Sequence, residues 1–262
     1  MNTILKVLKY QARDAVRSRW LIAYAAFFML VTEGLLRFSG DPARAQLSLI
    51  SVVLFLVPLV SIVFGTVYLY NAREFIELLL AQPVNRRQMF GGVYLGLMIP
   101  LASAFAFGLG APFVLRGIGA STDGALTTLL LAGVILTCIF TAIATLIAIR
   151  CEDRLRGLGA AIGIWMSFTV VYDGFVLFIL AVFSNHSLEH VSLGLMLANP
   201  IDIARVAMLL RFDGAAMMGY TGAVFLNFFG TAQGAVVTLA ALVLWISAPV
   251  MFGLRAFQRK DF

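Results

Sequence analysis

Gly124-Ala-Leu-Thr-Thr-Leu-Leu-Leu-Ala-Gly-Val-Ile-Leu-Thr-Cys-Ile-Phe-Thr-Ala-Ile-Ala-Thr-Leu-Ile-Ala-Ile149 runs for 26 residues without an Asp, Glu, Lys or Arg. As a helix it would extend about 39 Å at 1.5 Å per residue, more than the ~30 Å hydrocarbon layer of a bilayer. A helix of that composition has no face for water. Working outward from it, comparable apolar runs occur at about 20–38, 47–70, 91–115, 157–183 and 234–254, giving six crossings in all. Each is close to or above the ~20 residues that a spanning helix needs. Of the 262 residues 61% are hydrophobic and 12% charged, with a mean hydropathy of +0.98. Ordinary soluble domains carry about 25% charged residues, so a water-soluble globular fold is excluded. The expectation is an all-α integral membrane protein built as a six-helix bundle, a single domain over 1–262.

The net charge of +6 raises the question of nucleic acid, but the 19 Lys and Arg sit in small clusters between apolar runs. That distribution records membrane topology and implies no nucleic-acid partner. Fourteen of them (Lys6, Lys9, Arg13, Arg17, Arg19, Arg73, Arg86, Arg87, Arg150, Arg154, Arg156, Arg255, Arg259 and Lys260) fall on one side of the alternating topology. Only Arg37, Arg44, Arg116, Arg205 and Arg211 fall on the other. By the positive-inside rule both termini are cytoplasmic. Ala215 to Phe229 is apolar but broken by Gly219, Gly222 and Asn227, and a seventh crossing would carry the basic C-terminus outside. Residues 184–233 are therefore expected to form an external region of short, partly re-entrant helices, sheltered by protein where the backbone dips into lipid.

The start is not a removable signal. In a helical projection Leu5, Leu8, Ala12, Ala15 and Val16 gather on one side and Lys6, Lys9, Arg13 and Arg17 on another. This predicts an amphipathic interfacial helix over 1–19 on an anionic leaflet, or a basic tail that only sets orientation.

No phosphate-binding G-x-x-x-x-G-K-[ST] loop occurs, so nucleotide is not hydrolysed here by that route. Cys138 and Cys151 lie too far apart along a helix to pair with each other. His186 and His190 flank Glu189 at helical spacing without a third ligand, which favours a solvated loop over a metal site, and no metal is expected. Asp173 lies deep in the fifth run, where a carboxylate is costly. It is either a polar point on a translocation path or dimer seam, with Met166 one heptad earlier, or a carboxylate bonded to a neighbouring helix. Asn199-Pro200 opens a capped helix on which Asp202 and Arg205 face each other at i, i+3. Glu33 and Arg37 at i, i+4 near the outer end of the first span can neutralise each other or snorkel to the headgroups, and an anchoring role is expected.

Between spans two and three the chain reads Asn71-Ala-Arg-Glu-Phe-Ile-Glu-Leu-Leu-Leu-Ala-Gln-Pro-Val-Asn-Arg-Arg-Gln-Met-Phe-Gly-Gly92. A short amphipathic helix stopped near Pro83 is predicted. Glu74 and Glu77 beside Phe75 and Leu78, Leu79 and Leu80 give a surface suited either to a soluble partner or to lipid. Here the sequence resembles the permease subunits of ABC-2 type transporters, in which this loop runs approximately E-G-T-L-x-L-L-L-x-x-P-x-x-R. Leu78, Leu79, Leu80, Pro83 and Arg86 match; Glu74-Phe75 stands where Gly-Thr is usual, and Val93 where Lys often follows Gly. The resemblance extends over the whole chain. Asn199-Pro200-Ile-Asp202-Ile-Ala-Arg205, Met218-Gly-Tyr-Thr-Gly-Ala-Val-Phe225 and Asp173 make it similar to the branch of that family that serves nitrous oxide reductase maturation.

That resemblance implies a homodimeric, non-enzymatic permease in a bacterial inner membrane. It implies a separate NosF-like cytoplasmic ATPase, which holds the ATP and Mg, docked on Glu74, Phe75, Glu77, Leu78, Leu79, Leu80, Pro83 and Arg86. It also implies a NosD-like periplasmic protein on Asn199, Pro200, Asp202 and Arg205, a seam involving spans one, two and five, and a role in assembling a copper-sulfur centre. No cofactor is expected in this chain itself. The rival classes are an ABC-2 exporter of another small solute, a secondary transporter using Asp173 as an ion site, and an intramembrane enzyme. The enzyme is disfavoured because no His, Cys or carboxylate constellation shares a membrane depth.

Overall fold

A computed structural model describes residues 18–80, 85–117, 124–182, 189–209 and 232–259. The described residues are helical apart from short caps and turns. The helices are α1 (Arg19–Phe38), α2 (Pro42–Asn71), α3 (Arg73–Leu80), α4 (Arg86–Leu115), α5 (Ala125–Arg150) and α6 (Arg154–Met166). A π-turn (Ser167–Val171) joins α6 to α7 (Tyr172–Val182), and α8 (Glu189–Leu197), α9 (Pro200–Leu209) and α10 (Ala232–Arg259) follow among the described residues. Six segments are long and apolar enough to cross a membrane: α1, α2, α4, α5, α6 with α7, and α10. The segment expected as an interfacial helix lies outside the described residues up to position 17, as do Pro83, His186 and 210–231 of the external region.

The helices begin earlier than the apolar runs where a cap allows it. Asp41 accepts from Ala43 N at 3.0 Å and Pro42 follows it, so α2 starts at 42. Asn85 accepts from Arg87 N at 3.0 Å and starts α4 at 86, ahead of the run at 91. Hydrophobicity marks the stretch that crosses lipid, whereas caps mark where the helix begins.

Helix α5, charge-free up to its last residue Arg150, is the hub, packed against α2, α4, α6, α9 and α10. Thr137, Thr141 and Thr145 lie buried along it, and Thr137 and Thr145 donate to the carbonyls one turn back. Close approach of α2 depends on Gly65, where an added Cβ would sit 2.9 Å from the Ala144 Cβ. On the far side α1 packs against α4, with Phe28 edge-on to Phe105 at 5.2 Å. At the end of this pair Glu33 bonds both Arg37 (2.8 Å) and Arg116 (2.6 Å), so it clamps two helices as well as its own last turn.

Contacts at the helix ends sort the connections into two faces. Tyr70 OH donates to Cys151 O (2.8 Å), Arg73 to Glu152 O (3.1 Å) and Arg86 to Gln258 O (3.0 Å). The α2–α4 connection, the α5–α6 connection and the end of α10 therefore share one face, and Glu33 with Arg116 marks the other.

Candidate functional site

Two places gather the residues singled out by sequence, one at each face. At the first, α3 follows α2 after Ala72 alone. Its first residue ties it down: Arg73 pairs with Glu77 at 2.9 Å while donating to Glu152 O, and Ile76 is buried against the bundle. These anchors leave Glu74 exposed, Phe75 and Glu77 half-buried and Leu78 70% exposed. Among the described residues none covers this leucine, on a helix already anchored by its neighbours. Beneath α3 lies a small apolar cavity of about 40 Å³, bordered by Tyr70, Ile76, Phe90, Val93 and Phe257. Leu79 and Leu80 complete the helix, and their side chains lie outside the described part of the chain. Arg86 reaches across to the end of α10, so it joins two spans as well as flanking the loop. Arg73, the anchor, was not among the residues that the sequence singled out; its i, i+4 relation to Glu77 was the available signal.

The second place is built around the π-turn of the fifth span and the bent pair that follows it. Helices α8 and α9 form a hairpin bent by 110° at Ala198-Asn199. Asn199 is fully buried and uses its whole amide: Oδ1 accepts from Ile201 N (3.0 Å), and Nδ2 donates to Asp202 Oδ2 (3.0 Å) and to Phe168 O (2.9 Å) in the π-turn. It is thus the expected N-cap of α9, with Pro200 next. Arg205 pairs with Asp202 at 2.8 Å, as the spacing predicted. It also reaches Asp173, Nη1 to Oδ1 at 3.3 Å and Nη2 to Oδ2 at 3.0 Å. Two carboxylates and one guanidinium leave a formal charge of −1. Asp173 therefore has a partner on a neighbouring helix, and residues expected in separate places, at a seam and at an external surface, form one network. Met166 ends α6, 49% exposed, outside that network.

The hairpin's backbone is satisfied by the spans around it. Tyr172 OH donates to Leu195 O, which also accepts from Ala198 N, and Trp245 Nε1 donates to Leu197 O (3.2 Å), so side chains of the spans reach the carbonyls at the end of α8. Ile201, Ala204 and Met208 join the main core beside α5. A broken helix is tolerated at membrane depth only where protein meets its free backbone groups, and here protein does. Neither Tyr172 nor Trp245 was singled out by sequence. Among the described residues no group of three or more His, Cys, Asp or Glu is close enough to hold a metal ion.

A sequence profile described as "ABC-2 family transporter protein" matches residues 5–262. A "Probable ABC transporter permease protein NosY" of Pseudomonas aeruginosa is 28% identical over 278 aligned positions, covering 99% of each chain. A protein of the same name from Stutzerimonas stutzeri is 26% identical with the same coverage. The six spans, the short helix at one face and the sheltered hairpin at the other thus sit in a chain matched almost end to end: it belongs to the ABC-2 family of transporter proteins.

Proposed function

We propose that this chain is the membrane subunit of an ABC transporter worked by a separate NosF-like ATPase that docks on α3. It lies in a bacterial inner membrane with both termini cytoplasmic, pairs with a second copy of itself, and meets a NosD-like periplasmic protein at the hairpin α8–α9. The carrying observation is α3, held by Arg73 and Ile76 while Leu78 and Glu74 face away from the bundle. ATP binding and hydrolysis elsewhere change which ATPase surface meets this helix, and that differential contact shifts the bundle between states. Similarity to NosY proteins supports a role in nitrous oxide reductase maturation, with a copper or sulfur species as cargo or with force passed to the outer partner.

Co-expression with a NosF-like ATPase and a NosD-like periplasmic protein tests the proposal. The complex is expected to purify intact. Leu78→Glu is expected to weaken ATPase association at least about tenfold, the equivalent of about 1.4 kcal/mol, while the chain still inserts in the membrane. Isolation without any nucleotide-binding subunit, together with transport that survives polar substitution of Leu78, Leu79 and Leu80, would overturn it.

A further inference from the structure

The fifth span is one apolar run in sequence and one continuous helical span in the fold, but its two halves are held differently. Its inner half, α6, is fixed to α2: Trp165 lies edge-on to Phe55 at 4.8 Å and donates to Phe55 O at 3.2 Å, and Gly157 lies directly against the Tyr70 ring. Its outer half, α7, has no buried residue and makes only marginal contact with any described helix beyond the π-turn. Phe175, Leu177, Phe178 and Val182 are all more than half exposed.

Side-chain ties to the hairpin hold this outer half. Asp173 is gripped by Arg205, Tyr172 OH reaches Leu195 O, and one turn below Asn199 takes the Phe168 carbonyl. The hairpin itself is seated in the core through Ile201 and Met208. Between the two halves lies the π-turn, whose wider ring of hydrogen bonds marks a place where a helix bends. Its Phe168 ring is pinned edge-on by Phe140 (6.2 Å) and Trp245 (5.3 Å), so the turn is anchored in the core while α7 is not.

We infer that α7 is a hinged lever, pivoting at Ser167–Val171 and positioned by the α8–α9 hairpin through Tyr172, Asp173, Asn199 and Arg205. Displacement of the hairpin from the outer face is carried to the outer half of span five by these polar ties and not by packing. The inference goes beyond the function proposed above and does not rest on it, since it requires no ATPase and no identified cargo.

The test uses the full-length chain in lipid nanodiscs with Cys138 and Cys151 replaced by Ser. Paired spin labels at Val182→Cys and Val236→Cys read the outer half, and a pair at Ile162→Cys and Met251→Cys reads the inner half; all four residues are exposed. Tyr172→Phe with Asp173→Ala cuts both ties on the lever itself. A swing of roughly 20° about the pivot carries the end of the ~16 Å segment about 5 Å. The Val182–Val236 distribution is therefore expected to shift or broaden by about that amount, with Ile162–Met251 unchanged. An unchanged outer distance, or equal changes in both pairs, overturns the hinge. Should the double variant fail to fold, Tyr172→Phe alone is expected to broaden only the outer distance, and its failure to do so is equally decisive.

Discussion

Arg205 is the residue on which the outer network turns, because it answers two carboxylates with one guanidinium. The two are not equally dependent on it. Asp202 is 13% exposed and Asp173 36%, so removing the cation strands a charge that water barely reaches. Breaking a buried pair by removing one partner typically costs about 3–5 kcal/mol, whereas removing Asp173 leaves Arg205 still paired with Asp202 and strands no charge. Arg205→Met is therefore expected to lower the thermal midpoint of the purified chain sharply, and Asp173→Ala to leave it nearly unchanged. Adding Asp202→Asn to Arg205→Met is expected to recover much of the loss, since it removes the stranded charge. Equal destabilisation by the two single variants would place the weight of the network on Asp173 instead. The sequence supported half of this arrangement, the i, i+3 pair on α9, because that pair is local. The link to Asp173 joins positions 32 residues apart, across a segment whose path no helical period reports.

At the scale of elements, α6 carries three glycines, Gly157, Gly159 and Gly163, that the sequence does not distinguish. An added Cβ on Gly157 would run into the Tyr70 ring, whose hydroxyl joins α2 to Cys151 O, while one on Gly159 meets nothing within 4 Å. Overpacking costs about 1–3 kcal/mol, and a freely accommodated Gly→Ala change in a helix gains roughly 0.5–1 kcal/mol. Gly157→Ala is thus expected to reduce the thermal midpoint and loosen the α2–α6 contact beneath α3, with Gly159→Ala neutral or stabilising. Equal midpoints for the two variants would mean that Tyr70 gives way at no cost. The six spans were legible because a bilayer demands about 20 apolar residues, a requirement written directly into composition. Span five shows the limit of that signal: residues 157–183 are uniformly apolar apart from Asp173, and hydropathy is indifferent to the change at Ser167 from α to π hydrogen bonding. The short α3 was legible from its charged and leucine-rich faces, but its fastening by Arg73 to Glu152 O was not, since that contact depends on how α2 and α6 pack.

For the molecule as a whole, the decisive question is how many times the chain crosses, and helix-end contacts answer it independently of charge. The bent pair α8–α9 is apolar enough to pass as a seventh span if taken as one. Yet Arg86 donates to Gln258 O, and Phe90 packs on Phe257 with ring centroids 5.9 Å apart, so α10 ends at the face where α4 begins. The α5–α6 connection joins that same face through Tyr70 and Arg73, so α6 with α7 must leave it and α10 must return to it. Val182 and Ala232 then lie at the same, opposite face, which fits six spans among the described helices and the expected external region between the fifth and sixth. The excess of Lys and Arg at the α3 face is what the positive-inside rule expects of a cytoplasmic face, because basic loops resist translocation, in keeping with the function proposed above. In a cysteine-free background, single cysteines at Phe38 and Leu115 are expected to react with an impermeant maleimide in intact spheroplasts, whereas those at Leu78, Leu155 and Arg259 should react only after the membrane is opened. These five positions are exposed and divide between the two faces. Labelling of Arg259→Cys from outside with Leu78→Cys still protected would require a seventh crossing and would contradict the contact between Arg86 and Gln258. Reversal of the whole pattern would keep the fold but turn α3 away from the cytoplasm, and with it the surface offered to an ATPase.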